Sequence, residues 1–319
     1  MIRRINEKVD ISFDQISYIF NKVLGVKVID RLFMKDGGST TNYKITTLQG
    51  KFLLKLYPAH RDNSAEINLM TALEKYINIP KIHIYDNSRI LFSTDFLISD
   101  FIEGTSFRSY THDYGISKEH ATAIGKTLSV IHSKSYICPH MFDQAKTPVK
   151  SILEQYNDFI ESLAGQHIGN EYCKYLKDIL NKNHLELTRV NDQTVRTHGD
   201  VNPGNILVDH NKKLWFIDFE YGHATTPYLD FGKFLRKRND FSYHLTEEVL
   251  KDIKSAYQHP LPDNWIHLSM LVDIPALLRM INNNSPNPWR VDYILKRIKD
   301  LHQDLDKFTY TFKPDVYKL

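Results

Sequence analysis

The sequence predicts an α+β fold in which a small antiparallel-sheet lobe, residues 1–102, precedes a larger helical lobe, residues 103–319. The first hundred residues contain several short extended segments rich in β-branched and aromatic residues, separated by turn signals such as Gln49-Gly50. After residue 103, apolar residues recur at helical spacing. A chain of 319 residues is also too long for one simple core, which favours two lobes or domains.

The first lobe has the pattern of a sheet with helices at two places. A helix is predicted from Ser12 to Leu24, because Ile16, Ile19 and Val23 lie on one helical face. Extended segments are predicted at residues 26–34, 42–48, 51–57, 81–86 and 90–102. A second helix is expected from about Ser64 to Tyr76.

The second lobe has the pattern of a set of amphipathic helices. Ser117 is a favourable N-cap for a helix in which Ile124, Leu128 and Ile131 form an apolar stripe. Further helices are predicted at residues 148–163, 169–187, 228–237, 246–258, 264–282 and 290–306.

Composition excludes several classes of protein. The formal net charge is +3 and no block of lysine and arginine stands out, so no nucleic-acid partner is expected. No run of about 18 apolar residues occurs, so neither a membrane span nor a membrane partner is expected. The N-terminal residues lack the features of a secretory signal and only two cysteines are present, which favours a cytoplasmic protein. The sequence does not indicate an oligomeric state.

The most informative stretch is HGDVNPGNILVDHNKKLWFIDFEYG, residues 198–222. Asp200 lies on a polar loop, and its carboxylate can accept a proton from a substrate hydroxyl. Asn205 and Asp218 offer oxygen ligands that suit Mg2+, which binds through few protein ligands plus phosphates. The segments NILV and LWFID are predicted strands joined by a turn, so Asn205 and Asp218 should meet at the open end of a hairpin. One site with a base and two metal ligands is therefore predicted.

This arrangement is typical of phosphoryl transfer, in which positioning and charge neutralisation do most of the work. The stretch resembles the aminoglycoside phosphotransferase and choline kinase family, in which H-G-D-x-x-x-x-N and I-D-x-E are typical and a further Asp follows, here Asp230 in PYLDFGKF. The resemblance implies a protein-kinase-like bilobal fold, ATP and Mg2+ as cofactors, and Asp200 as the catalytic residue. Asp230 is expected to anchor the catalytic loop or to cap a helix, and His198 to form structural hydrogen bonds.

The implied function is ATP-dependent phosphorylation of a hydroxyl group of a small molecule, an aminoglycoside-like antibiotic or a related compound. Two alternatives remain: a metabolic kinase acting on choline, ethanolamine or a sugar-like acceptor, and a catalytically inactive nucleotide-binding member of the fold. A protein kinase is disfavoured because H-R-D, D-F-G and A-P-E are all missing in the expected context.

The sheet lobe is expected to hold the nucleotide. In KDGGSTTNYKI, residues 35–45, Gly37 and Gly38 would let the backbone approach phosphate, and the residues from Ser39 to Asn42 supply donors. The segment is not a P-loop, and alone it would be an ordinary hairpin turn. It resembles the G-G-x-[ST]-N loops of choline-kinase-like proteins, which implies that Gly38, Ser39 and Asn42 bind the nucleotide.

Lys55 is the one cation of the apolar segment FLLKLY, so it should have an anionic partner. ATP phosphates and a helix carboxylate would provide it, with Glu66 as the preferred residue and Glu74 as the alternative. The segment ISDFIEG is predicted to connect the lobes, and the resemblance implies that backbone groups from Asp100 to Ile102 bond the adenine edge.

Two groups of residues are candidates for the acceptor pocket, and a plain structural role is open for each. Three acidic residues share a helix face that suits either a polycationic acceptor or solvent: Glu154, Asp158 and Glu161. Three aromatic residues suit either a quaternary ammonium group or the core: Trp265, Trp289 and Tyr293.

Overall fold

The computed structural model describes residues 8–34, 39–58, 62–143, 145–236 and 244–303. These residues fall into two compact units. The first unit contains the chain up to Thr105 together with Leu207–Ile217, and the second contains Ser106–Ile206 and the residues from Asp218 onward. Among the described residues, no helix combines the length and apolarity needed to cross a membrane.

The strands are short and are numbered here along the chain. They are β1 (Val28–Met34), β2 (Thr41–Thr47), β3 (Lys51–Leu56), β4 (Ile82–Asp86), β5 (Phe96–Asp100), β6 (Gly104–Ser106), β7 (His140–Met141), β8 (Val195–Thr197), β9 (Ile206–Asp209), β10 (Leu214–Phe216) and β11 (His223–Thr225).

The helices are numbered in the same way. They are α1 (Phe13–Leu24), α2 (Ser64–Leu73), α3 (Phe107–Tyr114), α4 (Lys118–Ile131), α5 (Ile152–Ile160), α6 (Leu163–Lys182), α7 (His184–Asn191), α8 (Tyr228–Phe234), α9 (Glu247–Ala256), α10 (Trp265–Arg279) and α11 (Pro288–Gln303). A 3-10 turn, Pro203–Asn205, immediately precedes β9.

The first unit is built on an antiparallel sheet with the strand order β1-β2-β3-β5-β4. One face of this sheet packs against α1, whose first turn carries a complete capping box between Ser12 and Gln15. Phe20, Ile45 and Leu54 are fully buried in the resulting hydrophobic core. The alternation of strand side chains sends Lys55 to the opposite face, away from this core.

A second, three-stranded sheet in the order β10-β9-β6 contains the hairpin predicted within residues 198–222. The side chain of Asp209 closes the hairpin turn, because it accepts hydrogen bonds from the backbone amides of Asn211 and Lys213 and from the indole of Trp215. The backbone of β6 passes so close to Val208 that a side chain at Gly104 would collide with its carbonyl oxygen.

The second unit is mainly helical, as the sequence predicts, with the small sheet β7-β11-β8 among its helices. Helix α10 packs against α8 where Gly232 faces the backbone of Ser269, a position at which a β-carbon would collide. A bidentate ion pair joins Arg236, which follows α8, to Asp273 of α10, with both N–O distances 2.7 Å. Both side chains are buried, so this pair holds the two helices in one register.

The structure corrects several predicted bounds. Only Phe96–Asp100 of the predicted strand 90–102 forms a strand, and Asp95 just before it accepts hydrogen bonds from Arg89 and Tyr85. The predicted helix 169–187 is divided between α6 and α7, since the chain turns at Asn183. Helix α3 was not predicted, because its sequence, FRSYTHDY, has too few apolar residues for a helical stripe.

Candidate active site

The residues before the 3-10 turn form a loop in which one position, residue 199, requires glycine. Strand β8 ends at Thr197, and His198, Gly199 and Asp200 follow directly. Gly199 has a φ of 79°, and a β-carbon there would collide with the carbonyl oxygen of Tyr221. The second residue of the H-G-D motif is therefore fixed by the close approach of two backbone segments.

The side chain of Asp230 anchors this loop through its backbone amides. One of its carboxylate oxygens accepts the amide of Gly199 at 2.8 Å, and the other accepts the amide of His198 at 2.8 Å and the Nε2 of His132 at 3.0 Å. Burial alone raises the pKa of Asp230, but the bond from His132 and the amide of His198 outweigh it and hold the pKa below its usual value. Of the two expected roles, anchoring the loop is the one that the hydrogen bonds show.

We expect Asp230→Asn to lower the free energy of unfolding by about 1–3 kcal/mol, because the amide group of the introduced asparagine must face backbone N–H donors. The pKa of the parent carboxylate is lowered by folding, so its stabilisation is present above its unfolded pKa and is lost as pH falls through the folded value. The difference between parent and variant in urea unfolding should therefore be full at pH 7 and narrow below about pH 4. The exposed Asp192→Asn is the matched control, and equal unfolding curves at pH 7 for the Asp230 variant and its parent would contradict the anchoring role.

His198 has a structural environment. Its side chain is buried, and its ring lies against that of Phe219 in a tilted arrangement with the centroids 4.2 Å apart. Its Nδ1 accepts a hydrogen bond from the backbone amide of Asp200 at 3.3 Å. Each of these contacts positions the loop, in agreement with the role expected from the sequence.

Asp200 is held by two asparagines of its own loop. Its Oδ2 accepts the side-chain amides of Asn202 at 3.0 Å and Asn205 at 2.9 Å. The Nδ2 of Asn205 also donates to the backbone carbonyl of Asp200. The Oδ1 of Asp200 lies 3.5 Å from the Nζ of Lys233 on α8. The carboxylate is thus oriented through Oδ2, while Oδ1 lies beside a cation.

Asn205 and Asp218 occupy the same open end of the β9–β10 hairpin, because Asn205 immediately precedes β9 and Asp218 follows β10 by two residues. Since the amide nitrogen of Asn205 is engaged by Asp200, its carbonyl oxygen is the atom that can act as a ligand. Asp218 has a φ of 68°, a left-handed conformation in which Asp is enriched. This donor set, one carbonyl and one carboxylate, fits Mg2+ that is shared with phosphates.

Within the described parts of the chain, no group of three or more His, Cys, Asp or Glu side chains could hold a metal ion alone. A dedicated all-protein metal cage therefore does not occur there. The pair of Asn205 and Asp218 would need further oxygen ligands from phosphate or water.

In the first unit, Lys55 is paired with Glu66 of α2 and not with Glu74, which is exposed. The Nζ of Lys55 lies 2.7 Å from one carboxylate oxygen of Glu66, and the hydroxyl of Tyr57 donates to the other at 3.0 Å. Both charged side chains are buried. Burial and the neighbouring Glu66 raise the pKa of Tyr57 well above its usual value, so its hydroxyl remains a donor.

The loop between β1 and β2 is described only in part. Gly38, predicted to approach phosphate, lies outside the described residues, as does Gly37. Ser39 is half-buried at the edge of the described loop, and Asn42 lies in β2 directly opposite Lys55 of β3. Residues opposite one another on antiparallel strands project to the same face, so Asn42 and Lys55 share one face of the sheet.

The segment predicted to contact adenine is partly engaged by the sheet. The amide of Asp100 donates to the carbonyl of Lys81, and the amide of Phe101 donates to the carbonyl of Lys51. The Asp100 carboxylate lies 2.6 Å from the Nε2 of His83. The adenine contact stays a prediction, to be sought in Ile102 and in the carbonyl groups of the segment.

The two groups proposed for the acceptor pocket are explained in part by other contacts. Glu154 completes the capping box of α5 with Ser151, and Asp158 forms an exposed ion pair with Lys150. Trp265 is buried at the start of α10, whereas Trp289 is half-exposed. The acidic face of α5 is therefore largely occupied by local electrostatic contacts.

Sequence reasoning missed three residues around Asp200: Arg108, Asn202 and Lys233. Asn202 lies inside the quoted motif, and its capping position before Pro203 was a local signal that could have identified it. Arg108 belongs to no motif, and Lys233 lies in the quoted segment PYLDFGKF but three residues after Asp230. Both are distant from Asp200 in the sequence, so their proximity to the loop depends on how α3 and α8 pack.

Residues 32–267 match the model of the phosphotransferase enzyme family, APH. The chain belongs to this family. The family resemblance seen in the motifs is therefore confirmed. No curated protein matches the phosphotransferase at a significant level.

Solved structures with the same fold include several small-molecule kinases. Choline kinase LicA from Streptococcus pneumoniae has a TM-score of 0.62 at 15% identity, over 92% of this chain and 99% of that chain. Spectinomycin phosphotransferase APH(9)-Ia, solved with ADP and spectinomycin, has a TM-score of 0.60 at 15% identity, over 94% and 99%. A putative fructosamine-3-kinase from Thermobifida fusca has a TM-score of 0.65 at 15% identity, over 93% and 100%. These similarities confirm the predicted protein-kinase-like α+β fold.

Proposed function

We propose that this phosphotransferase transfers the γ-phosphoryl group of ATP to a hydroxyl group of a small molecule. The observation that carries the proposal is the Asp200–Asn205 arrangement, in which a half-buried carboxylate is fixed by direct hydrogen bonds within an anchored loop. The solved structures of ADP-bound spectinomycin phosphotransferase and of choline kinase, which share the fold, support a nucleotide donor and a small acceptor.

The proposed reaction balances as a simple group transfer. The oxygen of the acceptor hydroxyl forms a bond to the γ-phosphorus, and the bond between that phosphorus and the β–γ bridging oxygen breaks. ADP leaves with the electron pair of the broken bond, and the hydroxyl proton passes to the carboxylate of Asp200. Asn202 and Asn205 orient this carboxylate, because both donate to its Oδ2.

Asn205 and Asp218 would hold the metal ion through a carbonyl and a carboxylate oxygen. Mg2+ supplies charge neutralisation on the transferred phosphate when it is bound. Asn205 would then have two roles, since its amide nitrogen orients Asp200 and its carbonyl oxygen would be a ligand of the metal. A change at Asn205 should consequently affect both ATP binding and transfer.

The nucleotide is proposed to bind to the first unit through Lys55, Ser39 and Asn42. Lys55 is buried but lies on the sheet face opposite the hydrophobic core, where an ammonium group suits a phosphate. Its pairing with Glu66 fixes the position of the side chain, and its positive charge would attract the phosphates of the nucleotide.

Testing Lys55 requires a variant that leaves no buried charge without a partner. Lys55→Met alone should cost about 3–5 kcal/mol of stability, because Glu66 would remain buried without the cation that it pairs with. The double variant Lys55→Met/Glu66→Gln removes both charges and keeps an acceptor for Tyr57. We expect this variant to melt near the parent temperature while turnover at limiting ATP falls at least tenfold.

The exposed Lys126→Met is the control, because Glu66→Gln alone would remove the carboxylate that pairs with the buried Lys55. Thermal melting and turnover as a function of ATP concentration are measured for the parent, the double variant and this control. Unchanged turnover at limiting ATP in the folded double variant would mean that Lys55 has only a structural role.

The alternative of an inactive nucleotide-binding protein is not favoured, because Asp200, Asn205 and Asp218 are all present and two of them are directly joined. An acidic pocket for a polycationic antibiotic is also not favoured by the residues around Asp200, where Lys233 contributes a positive charge. The aminoglycoside-like acceptor expected from the resemblance is therefore not carried into the proposal.

The direct experiment is a transfer assay with γ-labelled ATP over hydroxylated small molecules, run with and without Mg2+. Aminoglycosides, other antibiotics, choline, ethanolamine, sugars and hydroxy acids are tested separately. The proposal expects Mg2+-dependent label in at least one small molecule. Absence of label from every compound, with ATP left intact, would contradict it.

A further inference from the structure

Two cationic side chains flank the carboxylate that is proposed to accept the hydroxyl proton. The ammonium group of Lys233 lies 3.5 Å from the Oδ1 of Asp200, and both side chains are partly exposed, at 15% and 22%. The guanidinium of Arg108 donates from Nη2 to the Oδ1 of Asn202 at 3.2 Å. Asn202 in turn donates to the Oδ2 of Asp200, so both cations belong to the immediate surroundings of one carboxylate.

Arg108 has capacity for a further anionic partner. Its Nε is buried and has no hydrogen-bond partner among the described residues. Burial lowers the pKa of its guanidinium, whereas the Asp200 carboxylate raises it, so the two groups interact electrostatically. A buried guanidinium nitrogen without a partner is costly, and an anionic group nearby would compensate it.

Two other carboxylates near α8, those of Asp230 and Asp273, are already engaged by buried partners. Asp230 is fully buried beneath the loop and is engaged by His132, His198 and Gly199. Asp273 is fully buried and paired with Arg236. Neither of these two side chains is exposed. Asp218 is half-buried and is the proposed Mg2+ ligand, so its charge would face the metal. The cations beside Asp200 itself are Lys233 and Arg108.

Resting on the function proposed above, we infer that the acceptor carries a negatively charged group, a carboxylate or a phosphate ester, close to the hydroxyl that is phosphorylated. Lys233 and Arg108 would bind that group while Asp200 contacts the hydroxyl. The Lys233–Asp200 distance of 3.5 Å exceeds the 2.7–2.9 Å of a tight charge-assisted hydrogen bond. Lys233 is therefore not tightly bonded to Asp200, and its positive charge would attract an acceptor anion bound beside this carboxylate.

The sign of the charge decides which acceptors are excluded. Two unit charges about 5 Å apart, at an effective dielectric constant of about 20, change an affinity by roughly 100-fold. An acceptor with an ammonium group beside its hydroxyl would be repelled by Lys233, and one with a carboxylate would be attracted. Solvent at this partly exposed site reduces the effect, so a preference of about 10- to 100-fold is expected.

The test uses acceptors that differ in charge but little in shape. One series is glucuronate, glucose and glucosamine, and another is glycerate, glycerol and 3-amino-1,2-propanediol. Glycerol 3-phosphate is added to separate phosphate esters from carboxylates. The kcat/KM with ATP and Mg2+ is measured for the parent, Lys233→Met, Lys233→Arg and the exposed control Lys126→Met.

The inference expects the parent to use an anionic member of a series best. Lys233→Met should reduce kcat/KM for that compound by about 10- to 100-fold, mainly through KM, while values for its neutral analogue change less than about threefold. Lys233→Arg should retain most of the preference, and Lys126→Met should match the parent. For the parent, KM for the anion should also rise with salt concentration.

Three outcomes would overturn the inference. A parent that prefers the neutral or cationic member of each series would refute the acceptor class while leaving phosphotransfer itself established. A folded Lys233→Met variant that loses the same factor with every acceptor would show that Lys233 acts only on Asp200. Absence of transfer to any compound, here and in the wider assay, would overturn the proposed function and this inference with it.

Discussion

Asp200→Asn is expected to keep the fold and the affinity for Mg2+-ATP but to lower kcat with a confirmed acceptor by about 100- to 10,000-fold. This corresponds to roughly 3–5 kcal/mol of activation free energy, the usual range for a general base. The side-chain oxygen of asparagine can still accept the amides of Asn202 and Asn205, so the loop should retain its shape. What is lost is the ability to accept the proton and the negative charge.

The measurements are turnover at saturating substrates and ATP binding by calorimetry. Asp192→Asn, which removes one exposed carboxylate at the end of α7, is the matched control and should behave like the parent. A loss of less than about tenfold for Asp200→Asn would mean that Asp200 is not the base. Loss of ATP binding in the same variant would instead assign Asp200 to the metal site.

Asp218→Asn is expected to abolish most of the Mg2+-dependent part of ATP binding. Asparagine is chosen for this substitution because the backbone at Asp218 is left-handed and asparagine tolerates that conformation. Removing the anionic ligand should cost several kcal/mol of metal-dependent stabilisation, which corresponds to about 100-fold or more in kcat/KM.

Asn205→Ala is the informative companion to this variant. It should weaken Mg2+-ATP binding less than Asp218→Asn, because a carbonyl contributes a dipole and not a charge. It should also lower kcat, because Asp200 loses a hydrogen bond at 2.9 Å from its Oδ2. ATP affinities equal to the parent's with and without Mg2+, in both variants, would show that the metal assignment is wrong.

Local patterns predicted much of the fold. The capping box at Ser12, the N-cap at Ser117 and the turn around Asp209 are each specified by residues within a few positions. For the same reason the spacing of Asp200, Asn205 and Asp218 predicted a single site, since one loop and one hairpin contain all three residues. The short strands β7, β8 and β11 have no such local signal, because their pairing partners are distant in the chain.

The cations that lie near Asp200 could not be predicted from the sequence. Lys233 lies on another helix, and its proximity to Asp200 follows from the packing of α8, which depends on Gly232 against Ser269 and on the Arg236–Asp273 pair. Arg108 lies on α3, a helix whose sequence gave no periodic signal. The charge proposed for the acceptor site therefore depends on tertiary structure, whereas the residues of the H-G-D motif can be identified from the sequence.

The most direct test of the central claim is phosphorus NMR of the parent with ATP, Mg2+ and an acceptor found in the labelling assay. The account predicts that the γ-phosphate resonance of ATP is replaced by that of a small-molecule phosphomonoester, in equal amounts with ADP and only when Mg2+ is present. ATP that persists unchanged, or that yields only inorganic phosphate, would contradict the claim that this chain transfers phosphate to a small-molecule hydroxyl.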